Sequence, residues 1–596
     1  MSFLTSDVVR RARAARMVIL LAFLFLGAGF YRAQVLRHTE YVTQSEENRL
    51  REIPLPAARG IIYDRNGKVI AENLPGYTVS ILAPSADSLR SALRRLQEIV
   101  NDSTRGIIPL SDDDIEIAVK RFNRAPNRPA VVLADALFQP VSILEEHRSE
   151  FPGLIIQSTP KRWYPDAAAV APFVGYTGEI SEAELANPSF DGYKAGMRVG
   201  KRGLEEQYES TLRGREGYRF VEVDARGRVV REAGAREDQA PVPGPDLQTN
   251  IDLDLQRFVM RYFADSLQGA VVALDPKTGG VLALYSGPSY DPNRFTGGIP
   301  RSYWDSLNTN PKRPLYNKAV QGRYPPASTF KLATAVLGLQ SGVVKLTDHM
   351  PQPCTGGFTF GRYWRCWNKH GHGDLTLERA IETSCDVYFY QLGLKIGLRN
   401  LVAGGVSLKF GDRSGIDLPS ETKPEFPYAL DYYKRKFPRG FVPASEALNV
   451  AIGQGSDAQT VVNMAKFYTA LANDGVMVQP SVARRVTPRQ RVFQLASADM
   501  EGVRNALAGV LERGTARSAQ LQGVAIAGKT GTAQNPPNPD HAWFVGFAPA
   551  DDPKIVVAVF LEYGLHGDHA ARVASKVIEA YLKKPMIASD AVVQGE

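Results

Sequence analysis

The chain has only three cysteines in 596 residues, and an odd number excludes complete pairing into disulfides within one chain. It has no internal repeat and no low-complexity tract. It has no cluster of basic residues beside a nucleic-acid recognition motif, so nucleic acid is not an expected partner. The excess of 71 Lys and Arg over 63 Asp and Glu, a net charge of +8, then reads as a solvated basic surface. Long apolar runs are also scarce: one lies near the N-terminus, and no later segment returns to a membrane. With 44% hydrophobic and 22% charged residues, a disordered or fibrous chain is set aside. The length allows two or more domains with sizeable cores.

The apolar run is Met17 to Tyr31, MVILLAFLFLGAGFY, preceded by Arg10, Arg11, Arg13 and Arg16 and followed by Arg32 and Arg37. Uninterrupted, it falls short of the ~20 residues a span needs. Ala14, Ala15, Ala33, Val35 and Leu36 lengthen it if Arg16 and Arg32 snorkel to the interfaces. The alternative is the core of a cleaved signal peptide. The bulky Phe30, Tyr31 and Arg32 leave no small-x-small cleavage site, so an uncleaved anchor is expected. The flanking arginines put residues 1–16 in the cytoplasm as a tail, 17–36 across the membrane and the rest outside.

Beyond the anchor, Ile61 to Ile70 reads as a hairpin turning at Asn66-Gly67. Residues 85–150 read as largely helical and charged. GLEEQYESTLRG reads as a helix ended by Gly214 and followed by a strand pair. APVPGPD, Ala240 to Asp246, punctuates the chain as a domain boundary. Residues 37–245 then form a non-catalytic pedestal and 246–585 a second domain, with 586–596 a frayed tail. In the second domain, Leu253 onward reads as an amphipathic helix, and GAVVALDPKTGGVLALYSG as a hairpin turning between Asp275 and Gly280. IVVAVFLEYG adds a late strand, and the class expected is mixed α/β, a sheet covered by helices.

Three short motifs lie in the second domain: Ser328-Thr-Phe-Lys331, Ser384-Cys-Asp386 and Lys529-Thr530-Gly531-Thr532. Each alone is weak; together, in this order, they match the signature of penicillin-binding proteins and class A β-lactamases. The chemistry is readable directly. A serine hydroxyl needs a nearby base. If Ser328 opens a helix, Lys331 lies one turn on, on the same face. Burial and the second cation Lys529 would free Lys331 to act as base. Ser384 would relay a proton and Asp386 orient it. Lys529, Thr530 and Thr532 suit a terminal carboxylate. The backbone N–H groups of Ser328 and Thr532 suit an oxyanion.

The sequence resembles the class B penicillin-binding proteins over nearly its whole length, most closely the elongation-type branch. RGIIYDRNG (Arg59 to Gly67), GLEEQYESTLRG, LYNKAVQGRYPPASTFK and IGQGSDAQTVVNMAKFYTALANDG carry the likeness, and Ser-x-Asp favours the elongation branch. Three positions depart from the family's habit: Ala327 for Gly before the nucleophile, Val461 for Pro, and Pro172-Phe173 for a His-containing segment. The resemblance implies a penicillin-recognising transpeptidase domain, an antiparallel sheet covered by helices, on an elongated α+β pedestal with one transmembrane helix. It implies a peptidoglycan D,D-transpeptidase that cross-links stem peptides through a Ser328 acyl-enzyme during cell-wall elongation and is inhibited by β-lactams. It places the chain in the inner membrane as a single-pass protein with its catalytic domain in the periplasm. It implies a SEDS-family glycosyltransferase partner at the anchor and pedestal. Two rivals stand: a D,D-carboxypeptidase or β-lactamase-type hydrolase, and a non-catalytic scaffold or β-lactam sensor. The long pedestal argues against the hydrolases, and the sixteen or so cytoplasmic residues argue against a sensor.

The cysteines leave two arrangements open. Cys354, Cys366, His372 and Cys385 make four soft or borderline ligands suited to structural zinc, with Cys385 turned away from the cleft. Otherwise Cys354 and Cys366 form a disulfide and Cys385 is a buried thiol. Some elongation-type relatives resemble the first, with zinc at the matching positions. No cofactor is expected for catalysis.

Overall fold

The computed structural model describes residues 3–41, 50–100, 111–124, 129–136, 138–151, 153–223, 229–231, 237–263, 266–296, 299–437 and 443–582. The expected frayed tail lies outside them.

A helix runs from Phe3 to Tyr31 and continues as one π-turn, Arg32–Leu36. It takes in most of the residues expected as a cytoplasmic tail, because RRARAAR is itself a good helix-former. Among the described residues, Val8–Leu36 is the one stretch long and apolar enough to cross a membrane, with mean hydropathy 1.9. Phe23, Leu24 and Phe25 are exposed, as lipid-facing residues would be.

Among the described residues the pedestal holds three sheets, one of them the short pair Thr177–Glu179 and Arg198–Gly200. Leu50–Leu55 pairs with Gly217–Val223, which pairs with Val229–Arg231. A larger sheet centres on the long strand Val69–Ile81, flanked by Ile62–Tyr63, Ala130–Ala136 and Leu154–Trp163. The expected helical stretch over 85–150 holds the helices Ala86–Val100, Asp112–Arg124 and Phe138–Glu146 but also the strand Ala130–Ala136. That strand's AVVLADA is too short and weakly alternating to stand out in the sequence. The sheet takes a last, parallel strand from Leu247–Gln248, just past the expected division at 245/246.

Three sequence segments meet in the pedestal's interior. Arg59, from RGIIYDRNG, pairs with Glu205 at 2.8 Å and Glu209 at 2.8 Å, both from GLEEQYES. Arg162, from RWYP, pairs with Glu205 at 2.6 Å, and the Tyr164 hydroxyl donates to Glu205 at 3.2 Å. Asp64 links outward, accepting from the backbone N–H of Leu253 at the start of the next helix at 3.2 Å.

The second domain is built on one antiparallel sheet in the order Val281–Gly287, Gly269–Leu274, Ile555–Leu561, His541–Ala548, Ala527–Ala533. Alternation sorts its side chains to two buried faces. Val271, Ala273, Phe544 and Val557 pack with the helices Leu253–Phe263 and Gly567–Leu582. Val272, Trp543, Val545 and Phe560 pack on the other face around the helix Val461–Ala472. That helix is buried almost all round, which a largely apolar sequence permits. Thr460 caps it by accepting from Asn463 N–H at 3.2 Å, so Val461 in place of the family's proline costs no capping bond. At one edge of the sheet, the buried Gln256 side chain pairs with both backbone groups of Leu284, each at 2.9 Å. The opposite edge, Ala527–Ala533, borders the site.

Candidate active site

The Ser328 segment is a 3₁₀ turn, Ala327–Phe330, running into the helix Lys331–Gln340. A 3₁₀ turn eclipses positions i and i+3, so Ser328 and Lys331 share one side. Ser328 is half-buried; Ala327, Thr329 and Phe330 are buried. Ala327 has φ +49°, which explains the family's glycine here: a Cβ is strained in this region. Its N–H donates to Gly453 O at 2.9 Å, from the IGQG segment, which holds the turn in that conformation. Tyr468 O–H, from the central helix, donates to Thr329 O at 3.0 Å.

Lys331 is fully buried. Its Nζ donates to Ser384 O at 2.8 Å, Ser384 Oγ at 3.3 Å and Asp386 Oδ1 at 2.7 Å. The sequence reading has Asp386 orienting Ser384; here its carboxylate lies against Lys331 Nζ. Ser384 adopts φ +55°, and Asp386 begins the helix Asp386–Ile396. The left-handed serine turns the backbone so that its carbonyl and hydroxyl both reach Lys331 Nζ.

Lys529 is also fully buried, on the edge strand, with Nζ donating to Thr530 O at 3.2 Å. Burial, aided by the nearby Lys331, pushes its ammonium well below the usual lysine range, and Asp386 opposes this. Thr530 and Thr515 hydroxyls lie 2.5 Å apart. Thr532 Oγ1 accepts from Gly567 N–H at 3.4 Å. Gly531 lets the strand approach the serine turn: a Cβ there would lie 3.1 Å from Pro326 O and 3.2 Å from Thr329 Cγ2. Thr515 belongs to no motif, and nothing in its RGTAR setting marks it. Trp367 donates through its backbone N–H to Asp386 Oδ2 at 2.9 Å; the sequence shows it only as a neighbour of Cys366.

Next to Ser384 and Asp386, Cys354, Cys366, His372 and Cys385 bring one ligand atom each to within 4.8 Å of one another. His372 Nδ1 lies 3.5 Å from both Cys354 Sγ and Cys366 Sγ. Ligand bonds of about 2.0–2.3 Å in a tetrahedral zinc site set donors about 3.5 Å apart, so the donor set fits. All three cysteines are free and buried, and no Cys354–Cys366 disulfide is formed. A hydrogen bond from Cys385, helped by His372, pulls the Cys366 thiol far down; the same bond pushes Cys385 up. His370 is exposed and outside the cluster.

A half-buried serine on a tight turn, a buried lysine on a serine–aspartate pair and a lysine-bearing edge strand form the arrangement that suits a serine acyltransferase of the penicillin-recognising class. Residues 269–579 match the penicillin binding protein transpeptidase domain, and 54–249 the penicillin-binding protein dimerisation domain. The chain is 34% identical to the peptidoglycan D,D-transpeptidase MrdA of Acinetobacter baumannii, over 95% of this chain and 86% of that one. It is similar to the penicillin-binding protein 2 of Helicobacter pylori solved in complex with MreC, with TM-score 0.78, 26% identity, and 89% and 99% of the two chains covered. A structure of a peptidoglycan synthase complex that coordinates polymerization and crosslinking matches with TM-score 0.69 at 28% identity, covering 96% of this chain and 98% of that one. The chain belongs to the penicillin-binding protein 2 family of peptidoglycan D,D-transpeptidases, serine enzymes of cell-wall elongation.

Proposed function

We propose that this transpeptidase acts through Ser328, and that Lys331 is its base. The observation that carries the reading is the position of Lys331 Nζ, 2.7 Å from Asp386 and 3.3 Å from Ser384 Oγ, at the foot of the serine turn. Ser328 attacks the D-Ala-D-Ala carbonyl of one stem peptide. Its proton passes through Lys331, with Ser384 as relay. The backbone N–H groups of Ser328 and Thr532 hold the oxyanion. D-Alanine leaves, and the amine of a second stem resolves the acyl-enzyme. Lys529, Thr530 and Thr532, with Gly531 giving clearance, receive the terminal carboxylate. β-Lactams acylate the same serine. Supplied with glycan strands bearing pentapeptide stems, the enzyme should yield cross-linked dimers with release of D-alanine. Uncross-linked tetrapeptides as the sole product would make it a carboxypeptidase.

The Cys354, Cys366, His372, Cys385 cluster is proposed as a structural zinc site, four protein ligands with no open position. Bound there, zinc would supply rigidity behind Ser384 and Asp386.

Residues 1–16 are proposed on the cytoplasmic side and residues after 36 in the periplasm, since Arg10, Arg11, Arg13 and Arg16 favour that side. The division into pedestal (37–245) and catalytic domain (246–585) assigns partner binding to the former, which holds no nucleophile–base pair. Its partners are an MreC-like protein and a SEDS-family glycosyltransferase. A version ending at residue 245 should co-purify the glycosyltransferase from detergent extract. Capture by residues 248–585 alone would refute that assignment.

A further inference from the structure

Ser384 is held at φ +55° although it has a side chain, and such a backbone persists only where its surroundings over-determine it. Its carbonyl is one of the three acceptors facing Lys331 Nζ. The same carbonyl accepts a second hydrogen bond, from the indole Nε1–H of Trp367 at 3.2 Å, which is shared with Thr383 O at 3.1 Å. The backbone N–H of Trp367 occupies the other oxygen of Asp386, Oδ2, at 2.9 Å. One residue therefore touches two of the three groups around Lys331, through two different donors. Its ring is not core packing, because Trp367 is 58% exposed. Outside the relay segment the ring's neighbour is His372, with ring centroids 5.2 Å apart. The indole is thus an exposed aromatic whose polar edge is aimed inward at a strained carbonyl.

We infer that Trp367 is a positioning residue for acylation, fixing the Ser384 carbonyl and the Asp386 carboxylate around Lys331. The inference rests on the roles proposed above for Lys331, Ser384 and Asp386. The backbone N–H survives any substitution, so the side-chain contribution is isolated by changing the indole alone. Phenylalanine removes the N–H and one ring. A benzothienyl analogue, introduced by codon suppression, keeps both rings and removes only the N–H.

The test is saturation stopped-flow acylation of the detergent-solubilised full chain by nitrocefin, which separates the binding constant from the acylation rate constant. Wild-type acylation at Ser328 is established first; its absence would strike the underlying reading, not this one. Trp367→Phe and the benzothienyl variant should both lower the acylation rate constant by roughly 10- to 100-fold, the scale of a small displacement of a catalytic group. Binding should change by less than about twofold, with metal content and Tm as in the wild type. An unchanged rate constant in the benzothienyl variant overturns the inference. Weakened binding with an intact rate constant also overturns it, and makes Trp367 a substrate-contacting wall. A slower rate accompanied by lost metal or lowered Tm in both variants overturns it in favour of a purely structural residue.

Discussion

Glu205 has no solvent exposure and faces two guanidinium groups, Arg59 and Arg162, with Glu209 completing the pairing of Arg59. Desolvation alone would raise its carboxyl, but the two arginines outweigh it and hold it below the usual carboxylate range. A carboxyl whose folded value is depressed contributes stability above its ordinary range, and that contribution is lost as the pH falls through the folded value. Glu205→Ala leaves two buried cations short of an anion and should cost about 3–5 kcal/mol. Thermal denaturation should show a lower Tm for the variant at pH 7, and the gap to wild type should narrow in acid. An equal gap at every pH would show that packing, not charge, is responsible. At this scale the sequence marked Arg59, Arg162 and Glu205 as parts of separate segments but not as one cluster, because they are far apart in the chain. Ser328, Lys331 and Lys529 were legible only through their motifs taken together, each being weak alone. The seat of Asp386 on Lys331 was not, since it depends on the left-handed turn at Ser384, where the residue type favours no such conformation.

The hairpin Gly357–Phe360 and Arg362–Arg365 and the turn after it carry Cys366, Trp367 and His372 onto the relay segment. Its closing Gly361 has φ +68°, as a tight turn requires. The four candidate ligands could be read from residue types and spacing, but whether His372 and Cys385 join one cluster with the other two could not. They do, with His372 Nδ1 as close to Cys354 as to Cys366. Elemental analysis should find about one zinc per chain. A strong chelator should lower Tm and slow acylation together, and His372→Ala should do the same without entering the cleft. Metal-free protein of full activity with Cys354 joined to Cys366 would exclude the site. The hairpin turning between Asp275 and Gly280 was legible from two apolar runs around a Pro- and Gly-containing turn, and the helix Leu253–Phe263 from its periodicity. The strand Ala130–Ala136 was hidden among helices because its partner, Val69–Ile81, lies remote in sequence.

Across the whole molecule, a membrane-apt helix leads into a pedestal whose interior is locked by charge, and the pedestal joins the catalytic domain through Asp64 and the strand Leu247–Gln248. The catalytic sheet is buried on both faces, so the edge strand Ala527–Ala533 and the serine turn meet across a rigid base. Rigidity of this kind suits acyl transfer, in which the oxyanion and carboxylate contacts must be in place before reaction. The central claim is that Ser328 is the acylated nucleophile. It is tested most directly by intact mass spectrometry of the full chain after benzylpenicillin, followed by peptide mapping of the adduct. One penicilloyl adduct per chain should map to the peptide containing Ser328 and be absent from Ser328→Ala protein that melts as the wild type does. An adduct that persists in that variant, or maps to another residue, would contradict the account.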